Sequence, residues 1–473
     1  MTSAATVLLC PFFVQAMIAE LVSERYHKTQ VTVIKNNNTS FGARNHIMPF
    51  QKTAKLLLIV ILLLCLTITT KADEQTIIRQ RKQPLNFQIK LSTAIKGYDG
   101  KTCWVHARAG AIPVGTPGNQ LDNPIVVMTM QKLLLSGSDI FYALNSMRTD
   151  DMGKAWKGPL EQKNLSRHDL PDGGEVVVSD FWPQWHAKSK TLLGIGHTVR
   201  YYGNRIDHKK NIRVSSYATY DPEKNLWSNW KSLELPKGPE FVSSGAGSVQ
   251  RFDLHNGDIL LPVYFKRPEK KFSDVMVIRC RFDGDTLKYV EHGNELSIDF
   301  GRGFAEPSIT KFGDWFYMTL RNDKSAYVTR SKDGLRFSEP KKWTFEDGSE
   351  LGSYNTQAHW VTHSEGLFLA YTRRGAKNDH VFRNRAPLFI GRVNPEKIAI
   401  IRSSERIVIP ERGARLGNFG IVDVNANETW VIASEWMQTH GPNYVMPVDN
   451  KYGSDNSVFV SKILWSQPNA LKP

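Results

Sequence analysis

Thiols are scarce in this chain, which has 4 cysteines in 473 residues. Cys10 and Cys65 fall within the first 72 residues, so the remainder keeps Cys103 and Cys280. Two isolated cysteines give no zinc-site spacing; a single Cys103–Cys280 bridge stays open. No apolar segment with a 3.6-residue period runs past residue 75, which favours a β protein. There is no P-loop, no H-E-x-x-H, no G-x-S-x-G and no dinucleotide fingerprint. The G-A-G-S-V-Q stretch at 245–250 sits at a strand start, where such a fingerprint has no meaning. Acids are also few: 46 Asp and Glu face 61 Lys and Arg, a net charge of +15. A basic exported chain meets anionic partners, and outside a cell these are acidic polysaccharides rather than nucleic acid.

Aromatic residues, by contrast, make up 11% of the chain and include 12 Trp, among 34 Gly and 23 Pro. From Met48 the sequence reads MPFQKTAKLLLIVILLLCLTITTKADEQ. Lys52 and Lys55 form a positive n-region, Leu56 to Thr70 an apolar h-region, and Thr70-Lys71-Ala72 a cleavage site. Residues 48–72 are therefore expected to be a signal peptide, which implies a secreted or periplasmic protein. Residues 1–47 are expected to be a disordered start-site over-extension, 73–94 a linker, and 95–470 the folded domain.

A strand followed by a turn recurs: FYALNSMRTDDMGKAW (141–156), IRVSSYATYDPEKNLW (212–227), VMVIRCRFDGDTLKY (275–289), SAYVTRSKDGLRF (325–337), PLFIGRVNPEKIAI (387–400) and SVFVSKILW (457–465). A strand–turn–strand series precedes each, as in EPSITKFGDWFYMTLRN. The spacing of 50 to 70 residues predicts a six-bladed β-propeller with four-stranded antiparallel blades. In a propeller, the starts of innermost strands and the ends of second strands face the central mouth. The repeat nominates Arg108, Trp182, His186, Gln250, Glu306, Gln357 and His359 as strand starts. It nominates His197, Arg200, Tyr264, Arg321, Arg373, Arg374 and Glu435 as second-strand ends.

The turn Thr149-x-Asp151-x-Gly153-x-x-Trp156, shortened at Ser331, Asp333, Gly334 and Phe337, resembles the Asp-box (BNR repeat) of the sialidase, or neuraminidase, superfamily. There the Asp caps turn amides, so Asp150 and Asp151 are structural expectations. The resemblance covers roughly residues 95–470 as a pattern. It implies a glycoside hydrolase in which an Arg triad clamps a carboxylate and a Tyr activated by Glu is the nucleophile. Carried over by motif, Asp139 is the acid/base, Glu306 and Tyr452 are the nucleophile pair, and Arg108, Arg321 and Arg385 clamp the carboxylate. Arg374 competes with Arg385, and Tyr444 with Tyr452.

A rival uses other residues of the same mouth. His197, Tyr264 and Arg279 or Arg281 lie on consecutive repeats and resemble the His, Tyr and Arg of propeller polysaccharide lyases acting on uronates. His359 is a further candidate substrate contact. A third class is a non-catalytic glycan-binding propeller with Trp182, Trp185, Tyr201 and Tyr202 stacking on sugars. The expectation is a monomeric sialidase-like exo-glycosidase acting on an anionic glycan, with no stable membrane partner. No cofactor is expected, with a Ca²⁺ requirement left open.

Overall fold

The computed structural model describes residues 84–471, except 138, 209, 211 and 440–447. The expected signal peptide, residues 1–47 and Tyr444 lie outside the described residues. The chain is all-β, with four short 3₁₀ turns among the described residues. No described helix is long and apolar enough to cross a membrane.

The strands pair into six antiparallel sheets. The first runs Thr102–Ile112, Ile125–Leu134, Phe141–Thr149, Lys157–Glu161, and the fourth Ala305–Phe312, Trp315–Arg321, Tyr327–Ser331, Lys341–Lys342. The four-strand rule expected throughout holds in the first, fourth and sixth sheets only. The third and fifth hold five strands and the second seven, because short hairpins such as Tyr202 with Arg205 add pairs at sheet edges. The innermost strands are neighbours around a ring. Thr102–Ile112 lies against both Glu175–His186 and Gly420–Asn425, while His359–His363 lies against Ala305–Phe312 and Gly420–Asn425. The Ser248 amide donates to the Asp180 carbonyl at 3.0 Å, and Gln250 bridges to Ser308, setting the third sheet between the second and fourth. This is a β-propeller.

The ring is closed by residues expected to be linker. Phe87–Ile95 pairs with the last strand, Val458–Trp465, as the outer strand of the sixth sheet. The alternation in FQIKLSTAI suits that role, since one face packs inward and the other meets water. The Phe87 ring meets Trp465 edge-on at 5.3 Å.

Large aromatics fill the spaces between sheets. Trp227, Trp343, Trp360 and Trp430 are fully buried. Trp360 Nε1 donates to Ser308 O at 2.8 Å and Trp343 Nε1 to Thr319 Oγ1 at 3.0 Å, as buried indoles tend to do, while Trp227 Nε1 has no partner among the described residues. The repeated turns join third and fourth strands. Asp151 Oδ1 accepts from the Lys154 and Ala155 amides at 3.0 Å each, and Asp333 Oδ1 from Leu335 and Arg336 at 2.9 and 2.7 Å. Asp221, Asp283 and Asn394 cap their turns in the same way. Gly153 and Gly334 take φ of 75° and 76°, which glycine adopts freely.

Cys103 and Cys280 are free, buried in different sheets, so they form no bridge. Burial pushes both thiols up to about 12, which keeps them protonated.

Candidate active site

Four consecutive sheets carry, within or beside their inner strands, a residue in the left-handed region. These are His106 (φ 57°), Asp180 (φ 53°), Ser248 (φ 58°) and Glu306 (φ 44°). In the first, second and fourth sheets the residue sits in a register shift, between Val105 and Arg108, Ser179 and Trp182, and Ala305 and Ser308. Each bulge re-aims one side chain. Left-handed non-glycine backbone costs about 1–3 kcal/mol per residue, and such outliers concentrate at functional sites.

The bulged side chains converge. Asp180 Oδ1 lies 3.4 Å from His106 Nδ1 and 3.3 Å from Arg108 Nη2, and it accepts a short hydrogen bond from Ser248 Oγ. Arg108 Nη2 also donates to Ser248 Oγ at 2.6 Å. Asp180 Oδ2 lies 3.6 Å from His197 Nε2. On its other nitrogen, Nδ1, His197 meets the Tyr264 hydroxyl at 3.1 Å. Glycine makes room for this imidazole: a Cβ on Gly247 would stand 2.4 Å from His197 Nδ1. Arg213 lies over the Tyr264 ring at 5.0 Å.

Glu306 Oε1 accepts from Arg321 Nη1 at 2.6 Å, while its Oε2 is buried without a partner among the described residues. Asn355, itself left-handed at φ 51°, organises the arginines. Its side-chain oxygen accepts from Arg321 Nη2 at 2.8 Å and Arg302 Nη2 at 2.7 Å, and its backbone oxygen from Arg385 Nε at 3.1 Å.

These contacts set the charge states. Burial works to raise the Asp180 carboxyl, but His106, Arg108, His197 and the Ser248 hydroxyl outweigh it and hold the group well below the carboxylate range. Burial likewise opposes ionisation of Glu306, and Arg321 leads the contacts that hold it below its ordinary value. Burial pushes His197 down to about 4, against the pull of Asp180, and pushes Tyr264 up. At neutral pH the mouth therefore holds two carboxylates, a neutral imidazole and a neutral phenol.

The expected residues divide into those this mouth gathers and those it does not. Arg108, Glu306, Arg321, Arg385, His197 and Tyr264 are gathered. Asp139 (φ 52°) stands nearby, since its charge acts on His106, Arg302, Arg383 and Arg415. Tyr452 is 39% exposed and stacks on His380 at 4.2 Å; no hydrogen bond joins it to Glu306 among the described residues. Arg374 is exposed, over the Tyr354 ring, and donates to Lys324 O. His359 is buried deeper on the axis, its Nδ1 2.8 Å from Ser308 Oγ and its ring edge-on to Trp182. Arg279 and Arg281 pair with Asp258 at the far end of their strand from Tyr264. His186 also lies at the far end, bonded to Gly257 O. A cavity of about 1150 Å³ opens at that opposite end of the inner strands, lined by Trp185, Arg251, Lys311 and Asp423. It is separate from the polar cluster.

Sequence reasoning missed His106, Asp180, Ser248 and Asn355. Asp180 in VVVSDFWPQWH reads as strand interior, and only the bulge turns it to the mouth. The available signal was a lone Asp within a run of β-formers on the strand preceding His197.

No protein-family model and no curated protein matches the chain. Solved structures do match. One is a protein of unknown function from Dyadobacter fermentans, 16% identical, covering 80% of this chain and 99% of that one with a TM-score of 0.51. The Hadza microbial sialidase Hz136 matches at 11% identity over 76% of this chain and 65% of its own, TM-score 0.52. The NanB sialidase from Streptococcus pneumoniae matches at 10% identity over 79% and 70%, TM-score 0.51. The fold is that of a sialidase-like propeller.

Proposed function

We propose that the chain is an enzyme acting on an anionic glycan, with its active site at the polar mouth. The hydrogen bond from Tyr264 to His197 carries this reading. With Nε2–H facing Asp180, Nδ1 accepts the Tyr264 proton, and Asp180 stabilises the imidazolium so formed. That is a Tyr–His–Asp relay, a phenol with a base and an orienting carboxylate. Arg321 and Arg385, held by Asn355, supply planar forks for a sugar carboxylate.

The relay suits β-elimination from a uronate. Tyr264, relaying its own proton to His197, removes the C5 proton; the C4–O bond breaks, a C4=C5 double bond forms, and the leaving oxygen takes from Tyr264 the proton it has just accepted, after which His197 returns the relayed proton to Tyr264. Arg321 and Arg385 offset the charge that builds on the carboxylate. A second reading, sialidase-like exo-hydrolysis of a terminal anionic sugar with Asp139, Glu306 and Tyr452, is favoured by the Glu306–Arg321 pair and by the fold. Tyr264 would then stand beside Glu306 in the place expected of Tyr452.

The same reading takes each sheet as one blade, giving six. It takes the capped turns as Asp-boxes, and the protein as exported through residues 48–72. Product analysis on sialosides and uronate polymers decides the reaction. Absorbance near 235 nm together with new reducing ends means elimination; reducing ends alone mean hydrolysis. Absence of both on every anionic glycan, with binding retained, would leave a lectin.

A further inference from the structure

Five guanidinium groups gather where the fourth, fifth and sixth sheets meet the mouth. Arg321 is paired with Glu306 and Arg302 with Asp323 at 2.7 Å. Arg385 is tied to the Asn355 carbonyl. Arg383 and Arg415 remain. They flank one ring, 4.9 and 5.1 Å from the Phe382 centroid. Neither meets a carboxylate within 4.0 Å among the described residues. Asp139 is the acid whose charge reaches both.

Arg415 is the more telling of the two. It is 4% exposed, with its guanidinium 4.2 Å from the Trp436 ring. Its Nη2 donates to Gln438 Oε1 at 3.3 Å, and its Nε is buried without a partner. Burial, with Arg383 beside it, pushes this guanidinium down to about 9. A buried cation without an ion-pair partner is costly, and a bound anion offsets that cost.

We propose that Arg383 and Arg415 bind a second anionic group of the substrate, a sulfate ester, on a glycan whose carboxylate lies at Arg321 and Arg385. This rests on the reading of the mouth as a glycan site. One carboxylate is satisfied by one or two forks, and Arg321 and Arg385 already supply two. A sulfate ester offers three oxygens to donors arriving from different directions. It also stays charged across the physiological pH range. The substrate class is then a sulfated acidic polysaccharide.

The test is calorimetry on the full chain with sodium sulfate, against sodium chloride at matched ionic strength. Sulfate should bind one site per chain, and Arg383→Gln should weaken it by about tenfold or more, the loss of one charge-assisted contact. Arg383 is only partly buried, so this variant keeps the fold. Arg415→Met should abolish the sulfate response yet melt no lower than wild type without sulfate, because it removes an uncompensated buried charge. Sulfate heat no greater than that of chloride, or full sulfate binding by Arg383→Gln, overturns the proposal. Sulfate binding in a chain that turns over no anionic glycan sinks the enzymatic reading and leaves this one standing. Turnover that ignores sulfation, without sulfate binding, does the reverse.

Discussion

Tyr264 and His197 lie 3.1 Å apart although 67 residues separate them, and both are almost fully buried. The bond spans two sheets, so the propeller itself assembles it. Replacing Tyr264 with Phe removes the hydroxyl and keeps the ring over which Arg213 lies. The expected loss is about 10²- to 10⁴-fold in kcat, the usual worth of a positioned proton-transfer group. The melting temperature should move by only a few degrees. A variant with wild-type turnover would remove Tyr264 from the chemistry.

His197 fixes the acid limb of activity. Its pKa is pushed from 6.5 to about 4, so the imidazole is neutral at neutral pH, with a ring nitrogen open to the Tyr264 hydroxyl, and it loses that capacity only near pH 4. Stability follows a different window. Between about 6.5 and 4 the unfolded chain binds the proton and the native chain does not, so stability falls as pH drops across that range. His197 alone contributes up to about 3 kcal/mol to this loss. The buried His106 and His359, also pushed down, act in the same direction. His197→Gln should flatten the dependence of unfolding midpoint on pH between 6.5 and 4. An unchanged slope would mean that His197 titrates normally in the native state.

The Glu306–Arg321 pair gives a third expectation. Arg321 is the leading influence holding the Glu306 carboxyl down against burial. Arg321→Met should therefore raise the Glu306 pKa and weaken carboxylate-bearing ligands by about 10²-fold, the loss of a bidentate fork. A uronate titration followed by calorimetry, repeated across pH, reads both. Unchanged affinity would place the carboxylate elsewhere.

Glu306 and Arg321 were legible because they sit on one hairpin, EPSITKFGDWFYMTLR, whose turn fixes their register. The capped turns were legible for the same local reason, since an Asp, a Gly and an aromatic at fixed offsets define their own geometry. Asp180, His106 and Ser248 were not. Their orientation depends on a bulge in each strand, and a bulge breaks the period-2 pattern on which strand reading relies. Tyr452 shows the opposite case: its position near the C-terminus matches a motif, while its ring stacks on His380 and makes no hydrogen bond to Glu306 among the described residues. The strand Phe87–Ile95 was hidden by its half-exposed alternation, which a linker can share.

The capped turns should be separable from catalysis. Asp151 Oδ1 accepts two turn amides and the Thr149 hydroxyl, far along the strand from the mouth. Asp151→Ala leaves those donors to water or unpaired, at about 1–3 kcal/mol. A lowered melting temperature with unchanged kcat is expected. Loss of kcat without loss of stability would make the turn part of the site.

The closing strand supplies the last prediction. Val458–Trp465 is paired on one side with Glu428–Ser434 and on the other with Phe87–Ile95. A chain beginning at Pro84 keeps both partners and should melt as the full chain does. A chain beginning at Tyr98 loses Phe87 from its contacts with Trp465 and Phe368. It also exposes the apolar edge strand VFVSKILW, whose unpaired amides and carbonyls are a template for another chain. That truncation should aggregate or sediment as larger species than the full chain, while the Pro84 chain sediments as the full chain does. If both behave alike in sedimentation and melting, the N-terminal strand is dispensable, and the ring is held by the inner strands alone.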